Sequence, residues 1–501
     1  MRAASLPAMG PRLGVSALLF VFALSVLLLV QQGTITGIDG ESSYEMVQSL
    51  VEDRDLALSA EVPHTALGRD GEYYSKFGLG LPLLGAVPYA LAKPFAAESD
   101  GQIPRAAVAT LMPLLTALLC VVLYAIGRAL GGRPRDALLV ALAAVFGTYL
   151  IVYSKDFFSE PLLALAIALA LWQTLAGRSW LAALFLAFGM LTRPQALLLA
   201  PLFWIFWAHR DGLRGALVPG LILAAGAAVI PLYNWLRFEE LTESGYPDDQ
   251  GFRADVWTGA WGLLTDPSKS LFLFVPLGVL LPFGIWSLRR RGEARVAWLT
   301  SGIVVIGFLT AASWSIWWGG WTWGPRLLIP ALMPALPVLA PWISGRPGRR
   351  RLVVALAVVG GLVNLPALIV PTSAQLGETA ETDGPHVVRQ AELLTATLGN
   401  LADEAPPERP VLPADRWDPY LWQVEIGRNL GSQGAVLAAV LSLLLLLVAV
   451  LAGRRLWRAA KRADDDALSP VAAAEESDTR PPPAARDGAG APAAARPSGS
   501  G

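Results

Sequence analysis

The sequence predicts an all-α polytopic membrane fold of about 12 transmembrane helices, with amphipathic juxtamembrane helices in the first long loop. Three observations carry this. Hydrophobic residues make up 54% of the 501 positions against 16% charged, and mean hydropathy is +0.49, the balance of a chain that crosses a bilayer repeatedly. Apolar runs of roughly 20 residues, the length a helix needs to span the hydrocarbon core, recur from end to end. Arginines gather in every second connection between those runs, as the positive-inside rule requires. The formal net charge of -1 says little, because charge is segregated along the chain.

Taken in order, the spans fall near 13–31, 104–127, 136–153, 161–176, 180–192, 195–208, 215–234, 271–288, 296–312, 326–342, 352–371 and 433–452. Residues 1–12 form a cytoplasmic N-terminus. Arg2 and Arg12 precede an apolar run that has the layout of a signal peptide but ends in Gln31-Gln32-Gly33 without an A-x-A site, so it is expected to be an uncleaved first span. Thr192-Arg193-Pro194 interrupts the run at 180–208, and an arginine at that depth must face protein or a water-filled cavity. Alternation then places the arginines at 128–135, 178, 210–214, 289–295, 346–351 and 454–462 on the cytoplasmic side with both termini. The opposite side receives 32–103, 235–270, 313–325 and 372–432. Residues 13–342 thus form the main transmembrane module, including loop 32–103. Residues 343–462 add C-terminal helices and loop 372–432. The Ala/Pro/Gly/Ser/Asp-rich tail, 463–501, cannot bury a core and is expected to be disordered in the cytoplasm. The single cysteine, Cys120, excludes an intrachain disulfide and a cysteine metal site.

The first loop has structure of its own. Ser42-x-x-Glu45 has capping-box spacing, and Met46/Leu50 and Val47/Val51 follow at helical intervals, as in a helix lying along the membrane surface. Residues 79–95 are apolar but broken by Pro82, Pro88 and Pro94.

Chemistry-bearing residues cluster on the outer side. Gly37-Ile-Asp-Gly-Glu-Ser-Ser-Tyr44 sets Asp39 and Glu41 just beyond the first span. Either they favour the positive end of a nearby helix, or the flanking glycines bring the backbone close to a ligand. Lys76, in Gly71-Glu-Tyr-Tyr-Ser-Lys-Phe-Gly78, either snorkels or offers a point charge to a lipid phosphate beside the Tyr73 and Tyr74 hydroxyls. Asp156 and Glu160 stand at the outer end of one span and the start of the next, Glu160 directly before Pro161. Five tryptophans fall within the ten residues 314–323, more than an interfacial belt needs. Trp318, Trp321 and Trp323 offer aromatic faces to a sugar or isoprenoid, and Arg326 beyond them suits bidentate phosphate binding. Tyr246 faces the same way. No Walker loop, H-E-x-x-H or dinucleotide fingerprint is present. His64, His209 and His386 are scattered, which argues against a histidine-based triad.

Together these motifs resemble the bacterial GT-C superfamily of glycosyltransferases, the polyprenyl-phosphate-sugar-dependent enzymes related to protein O-mannosyltransferases and aminoarabinose transferases. The resemblance covers residues 30–340. It rests on Asp39-Gly-Glu41 leading to Tyr44, Tyr74-Ser-Lys76, Ser159-Glu-Pro, Leu191-Thr-Arg-Pro194 and Gly319-Gly-x-x-x-Gly-Pro-Arg326. It implies a GT-C-like module in the bacterial inner membrane with its active site on the extracytoplasmic face. The donor is a polyprenyl-phosphate sugar and the acceptor an envelope glycan, lipid or protein; no nucleic acid is involved. Asp39 is the general base of an inverting displacement, with Glu41 beside it. Lys76, Tyr74, Arg326 and Arg193 hold the donor phosphate, and Glu160, Asp156, Trp318, Trp321, Trp323 and Tyr246 contact sugar or acceptor. A divalent cation, if one takes part, falls to Asp39, Glu41 and Glu160. The competing class, a transporter or flippase of lipid-linked saccharides, predicts midplane charges and an inverted repeat, and neither is evident.

Overall fold

The computed structural model describes residues 13–99, 101–320, 322–370 and 421–478. The chain opens with α1 (Leu13–Leu29) and α2 (Ile38–Glu52), passes through β1 (Ala57–Leu58), β2 (Thr65–Leu67) and β3 (Tyr73–Ser75), and continues into α3 (Gly80–Ala92). Next come α4 (Gln102–Ala109), α5 (Leu111–Ala129), α6 (Pro134–Phe146), α7 (Leu150–Tyr153), α8 (Ser159–Leu175) and α9 (Ser179–Thr192). The second half holds α10 (Ala200–Phe238), α11 (Val256–Thr265), α12 (Leu271–Phe274), α13 (Leu281–Arg290) and α14 (Ala294–Ser313). It ends with α15 (Ile329–Ala335), α16 (Leu339–Ile343), α17 (Pro347–Asn364), α18 (Pro366–Ile369) and α19 (Trp422–Asp478).

Five stretches among the described residues are long and apolar enough to cross a membrane: Gln102–Ala129, Pro194–Phe238, Ala294–Ser313, Arg326–Ile343 and Leu430–Asp466. Gly14–Leu29, Ser159–Leu175 and Ser179–Thr192 are shorter apolar helices. Burial separates their roles. The apolar window of Arg326–Ile343 is 89% buried, whereas those of Pro194–Phe238 and Leu430–Asp466 are only 17% buried. Their outer faces show Leu213, Leu217, Leu221, Val436, Leu443 and Leu447. Water would penalise such faces by roughly 25 cal/mol per Å²; hydrocarbon does not. The protein is a multi-pass, helical membrane protein.

Several expected spans are segmented. The run at 136–153 is α6 and α7, divided after Phe146. Pro194–Phe238 is two antiparallel rods, because Gly212 is left-handed (φ 76) inside α10. A Cβ on Gly220 would lie 2.8 Å from Trp204 Nε1, which a continuous helix forbids, since these residues sit equally far on either side of the break. Helix α8 packs between α5 and α9, and α1 packs against α5 and α19. The last helix runs to Asp478, into the segment expected to be disordered from residue 463. Residues 1–12, 371–420 and 479–501 lie outside the described residues, and with them most of loop 372–432.

The first loop departs from expectation in two ways. Its helix begins at Ile38, not at Ser42. The residue that holds its start is distant in sequence: Asp156 accepts the Gly37 N–H at 2.8 Å. Ser42 is buried mid-helix and pairs with Ser75 Oγ at 2.8 Å, so the capping-box reading of Ser42 and Glu45 was misplaced. A three-stranded antiparallel sheet, β1-β3-β2, follows, with Thr65 opposite Ser75. The proline-containing segment at 79–95 gives one regular helix, α3, over Gly80–Ala92, followed by a 3-10 turn at Lys93–Phe95 around Pro94. Helix α3 shows Leu83, Val87 and Leu91 to the outside and buries Leu81, Gly85 and Tyr89, the i, i+4 spacing of an amphipathic helix.

Candidate active site

Four segments distant in sequence converge at one end of the bundle. The first turn of α2 brings Asp39, the start of α8 brings Glu160, the break between α9 and α10 brings Arg193, and the entry to α15 brings Arg326. Each position follows from local chemistry. Gly37 and Gly40 let α2 pack on the turn at 156–158: a Cβ at Gly37 would lie 2.9 Å from Asp156 Oδ2, and one at Gly40 would lie 3.3 Å from the Phe157 carbonyl. The glycines thus serve a close protein contact, and Gly37 also lines the cavity described below. Arg193 adopts an extended conformation (φ -147) between Thr192 and Pro194, which ends α9 and turns its guanidinium inward.

Arg326 is the hub. Its Nη1 donates to Asp39 Oδ2 at 2.5 Å and lies 3.6 Å from Glu160 Oε1, while Nε donates to the Gly319 carbonyl at 2.6 Å. Arg193 reaches the same carboxylate, Nη2 to Glu160 Oε1 at 2.7 Å, and Ser159 Oγ at 2.7 Å. The second Glu160 oxygen, Oε2, is buried without a hydrogen-bond partner among the described residues. The other Asp39 oxygen, Oδ1, faces His64 Nε2 at 3.2 Å. Burial alone raises the Asp39 pKa, but Arg326 and His64 outweigh it and hold the carboxyl well below the usual carboxylate range. Lys76 sits beside them, 3.3 Å from Gln250 Oε1 and 5.0 Å from the centre of the Tyr246 ring. Burial lowers its ammonium from the ordinary lysine value, with Asp39 pulling the other way.

These residues line one cavity of about 360 Å³. Its head holds Asp39, His64, Lys76, Glu160, Arg193 and Arg326, with Tyr246, Trp314 and Trp318 beside them. The rest of its lining is mainly apolar, with Leu163 and Ile167 of α8, Leu199, Ile303 and Ile306 of α14 and Ala331 of α15, joined by Gln195 and Thr310. Counting side chains at neutral pH with histidine neutral, the head carries three cations against two carboxylates.

Of the residues the sequence put forward, Asp39, Lys76, Arg193, Glu160, Tyr246, Trp318 and Arg326 meet here. Four do not. Glu41 turns away to pair with Arg105; two positions apart on a helix, it and Asp39 face opposite ways. Asp156 is buried and spends its carboxylate on the backbone of Thr36, Gly37 and Phe157. Tyr74, central in the sheet, packs edge-on against Phe238. Trp323 is buried, its indole N–H donating to Asn364 Oδ1 at 2.7 Å. Trp321 lies outside the described residues. No group of three His, Cys, Asp or Glu among the described residues is arranged to hold a metal ion. With Glu41 elsewhere and the Arg326 guanidinium between Asp39 and Glu160, the three acids named for a cation do not form its site. The sequence missed His64, which a left-handed backbone (φ 64) at the head of β2 turns toward Asp39. It also missed Lys269, a buried lysine whose Nζ donates to the carbonyls of Gly320 (2.9 Å) and Thr322 (2.5 Å) and so pins the tryptophan-rich loop.

Fold and pocket together define a polytopic membrane protein with a charged chamber opening into an apolar channel. No family model matches the chain, and no curated protein sequence matches it. Among solved structures it is similar to ArnT from Cupriavidus metallidurans bound to undecaprenyl phosphate. The TM-score is 0.48 at 16% identity, over 91% of this chain and 79% of that one. It is also similar to the oligosaccharyltransferase of Archaeoglobus fulgidus in its apo form, with TM-score 0.47 at 13% identity over 78% of this chain. The match spans 58% of that protein's length.

Proposed function

We propose that this chain is an integral membrane glycosyltransferase of the GT-C type. It moves a sugar from a polyprenyl-phosphate donor to a glycan, lipid or protein acceptor at the extracytoplasmic face. One observation carries the reading: the cavity joins a cationic head to an apolar channel between α8, α14 and α15, the two-part shape of a phosphate on an isoprenoid chain. The net single positive charge of the head matches the single negative charge of a sugar phosphodiester. Lys76, whose ammonium donates to the Gln250 amide oxygen and lies over the Tyr246 ring with no carboxylate in ion-pair contact among the described residues, is the first phosphate ligand. Arg193 and Arg326 stand behind it to meet the charge that develops on the leaving phosphate. That group becomes a phosphate monoester with a second pKa of about 6 and departs without a general acid. The orphaned Glu160 Oε2 accepts a sugar hydroxyl, which satisfies an otherwise costly buried oxygen. Trp318 and Tyr246 offer ring faces. The acceptor attacks the anomeric carbon opposite the phosphate, so the configuration inverts, and its proton leaves toward Asp39 and the groups around it.

In membranes, Asp39→Asn is expected to lower transfer from a labelled polyprenyl-phosphate sugar by on the order of 10²–10⁴, with folded protein retained. Wild-type rates in that variant would remove Asp39 from the reaction.

A further inference from the structure

We infer that His64 is the general base of this transfer, and that Asp39 orients its imidazole and stabilises the imidazolium that forms; the assignment rests on the transferase reading above. The geometry distinguishes the two groups. Both Asp39 oxygens are engaged, Oδ2 by Arg326 at 2.5 Å and Oδ1 by His64 Nε2 at 3.2 Å. A carboxylate so held is a weak proton acceptor. With Nε2 turned to Asp39, Nδ1 is the ring nitrogen left for a substrate. The His64 side chain is 34% exposed against 16% for Asp39, and it lines the cavity.

Local structure fixes the ring. Left-handed backbone is unusual for a residue with a Cβ, and here it reverses the chain into β2. The Lys76 N–H donates to the His64 carbonyl at 3.1 Å, continuing the β2–β3 register by one pair. Phe77 packs edge-on against the imidazole, centroids 5.6 Å apart at 85°. The hairpin thus sets the base next to the proposed phosphate ligand. Six other titratable groups share the cavity: Asp39 from α2, Lys76 beyond β3, Glu160 from α8, Arg193 after α9, Tyr246 from the loop after α10, and Arg326 before α15. Of these, Asp39 is the one within ion-pair distance of the ring.

The step balances. The acceptor oxygen forms a bond to the anomeric carbon, the bond from that carbon to the phosphate oxygen breaks, and its electron pair leaves on the phosphate. The acceptor's proton passes to Nδ1, giving an imidazolium beside the Asp39 carboxylate. The products are the glycosylated acceptor and polyprenyl phosphate carrying one more negative charge. The imidazolium returns its proton to water.

The test uses full-length protein in membranes of cells lacking the gene, which retain the acceptor, with a panel of radiolabelled polyprenyl-phosphate pentoses and hexoses. Transfer is followed from about pH 5 to 9, and folded protein is quantified by fluorescence-detected size exclusion. In the wild type, kcat/KM falls as pH drops, because a protonated imidazole accepts nothing. In His64→Gln that acid limb disappears, kcat falls by on the order of 10²–10⁴, and donor KM stays within about twofold. His64→Gly regains part of its rate when free imidazole is added, a response that a purely structural histidine does not give. A His64→Gln enzyme with wild-type kcat and acid limb overturns the assignment while leaving the transferase reading intact. So does a slow variant that keeps the acid limb, paired with no imidazole rescue. A wild type that transfers from no member of the panel overturns the transferase reading, and His64 as base falls with it.

Discussion

Lys76 carries a pH signature that separates phosphate binding from proton transfer. Its ammonium is held below the ordinary lysine value by burial, so it neutralises earlier as pH rises, and a neutral amine holds a phosphate weakly. Donor KM in the wild type therefore climbs on the alkaline side. In Lys76→Arg, whose guanidinium stays charged throughout, that climb flattens. Lys76→Ala raises donor KM by on the order of 10- to 100-fold at neutral pH, the loss of a charge-assisted hydrogen bond. A steady-state pH series on the three proteins checks this. At this scale Asp39, Lys76 and Arg326 were legible, because a carboxylate between glycines and lone cations among aromatics are unusual in a membrane protein. Glu41 was grouped with Asp39 because both were placed in a loop ahead of Ser42. Once the helix starts at Ile38, about 200° of rotation separates them and only one reaches the cavity. His64 was illegible, because its value lies in a contact across 25 residues, His64 to Asp39, that spacing does not reveal.

Among the elements, the loop between α14 and α15 has the most demanding conformation. Gly319, Gly320 and Gly324 are all left-handed (φ 76, 76 and 63). Lys269 gathers its carbonyls from within, and Tyr149 and Tyr153 donate to the carbonyls of Pro325 (3.1 Å) and Trp323 (2.6 Å). The loop ends on Arg326, whose Nε holds the Gly319 carbonyl, so the hub of the site is only as rigid as this framework. Lys269→Met fills similar space without donors and leaves those carbonyls unpaired, at about 1–3 kcal/mol. It is expected to lower both thermal stability and kcat, with donor KM changed less, and Lys269→Arg to recover part of each. Thermal unfolding and single-turnover transfer read the two effects separately. The density of tryptophan flagged this loop in the sequence, yet its indoles divide in function: Trp318 lines the cavity, whereas Trp323 bonds Asn364. Composition shows that aromatics are needed, and tertiary packing decides which of them face a ligand.

For the whole molecule, hydropathy and the alternation of arginines were enough to read a helical, multi-pass membrane fold. Segmentation was less legible, because Gly147, Gly212 and the prolines divide helices according to what packs beside them. The sheet was missed because strands of two or three residues are too short to show a period-two pattern. What the assembled fold adds is continuity: the charged head and the apolar channel belong to one cavity, and that continuity is the central claim. Its most direct test is a cryo-EM map of the full-length protein in lipid nanodiscs with undecaprenyl phosphate added. The expected result is phosphate density within hydrogen-bonding reach of Lys76 and of Arg193 or Arg326, with the isoprenoid chain running between α8 and α14 past Ile167 and Ile306. Lipid density bound elsewhere, with this cavity holding only water, would contradict the account.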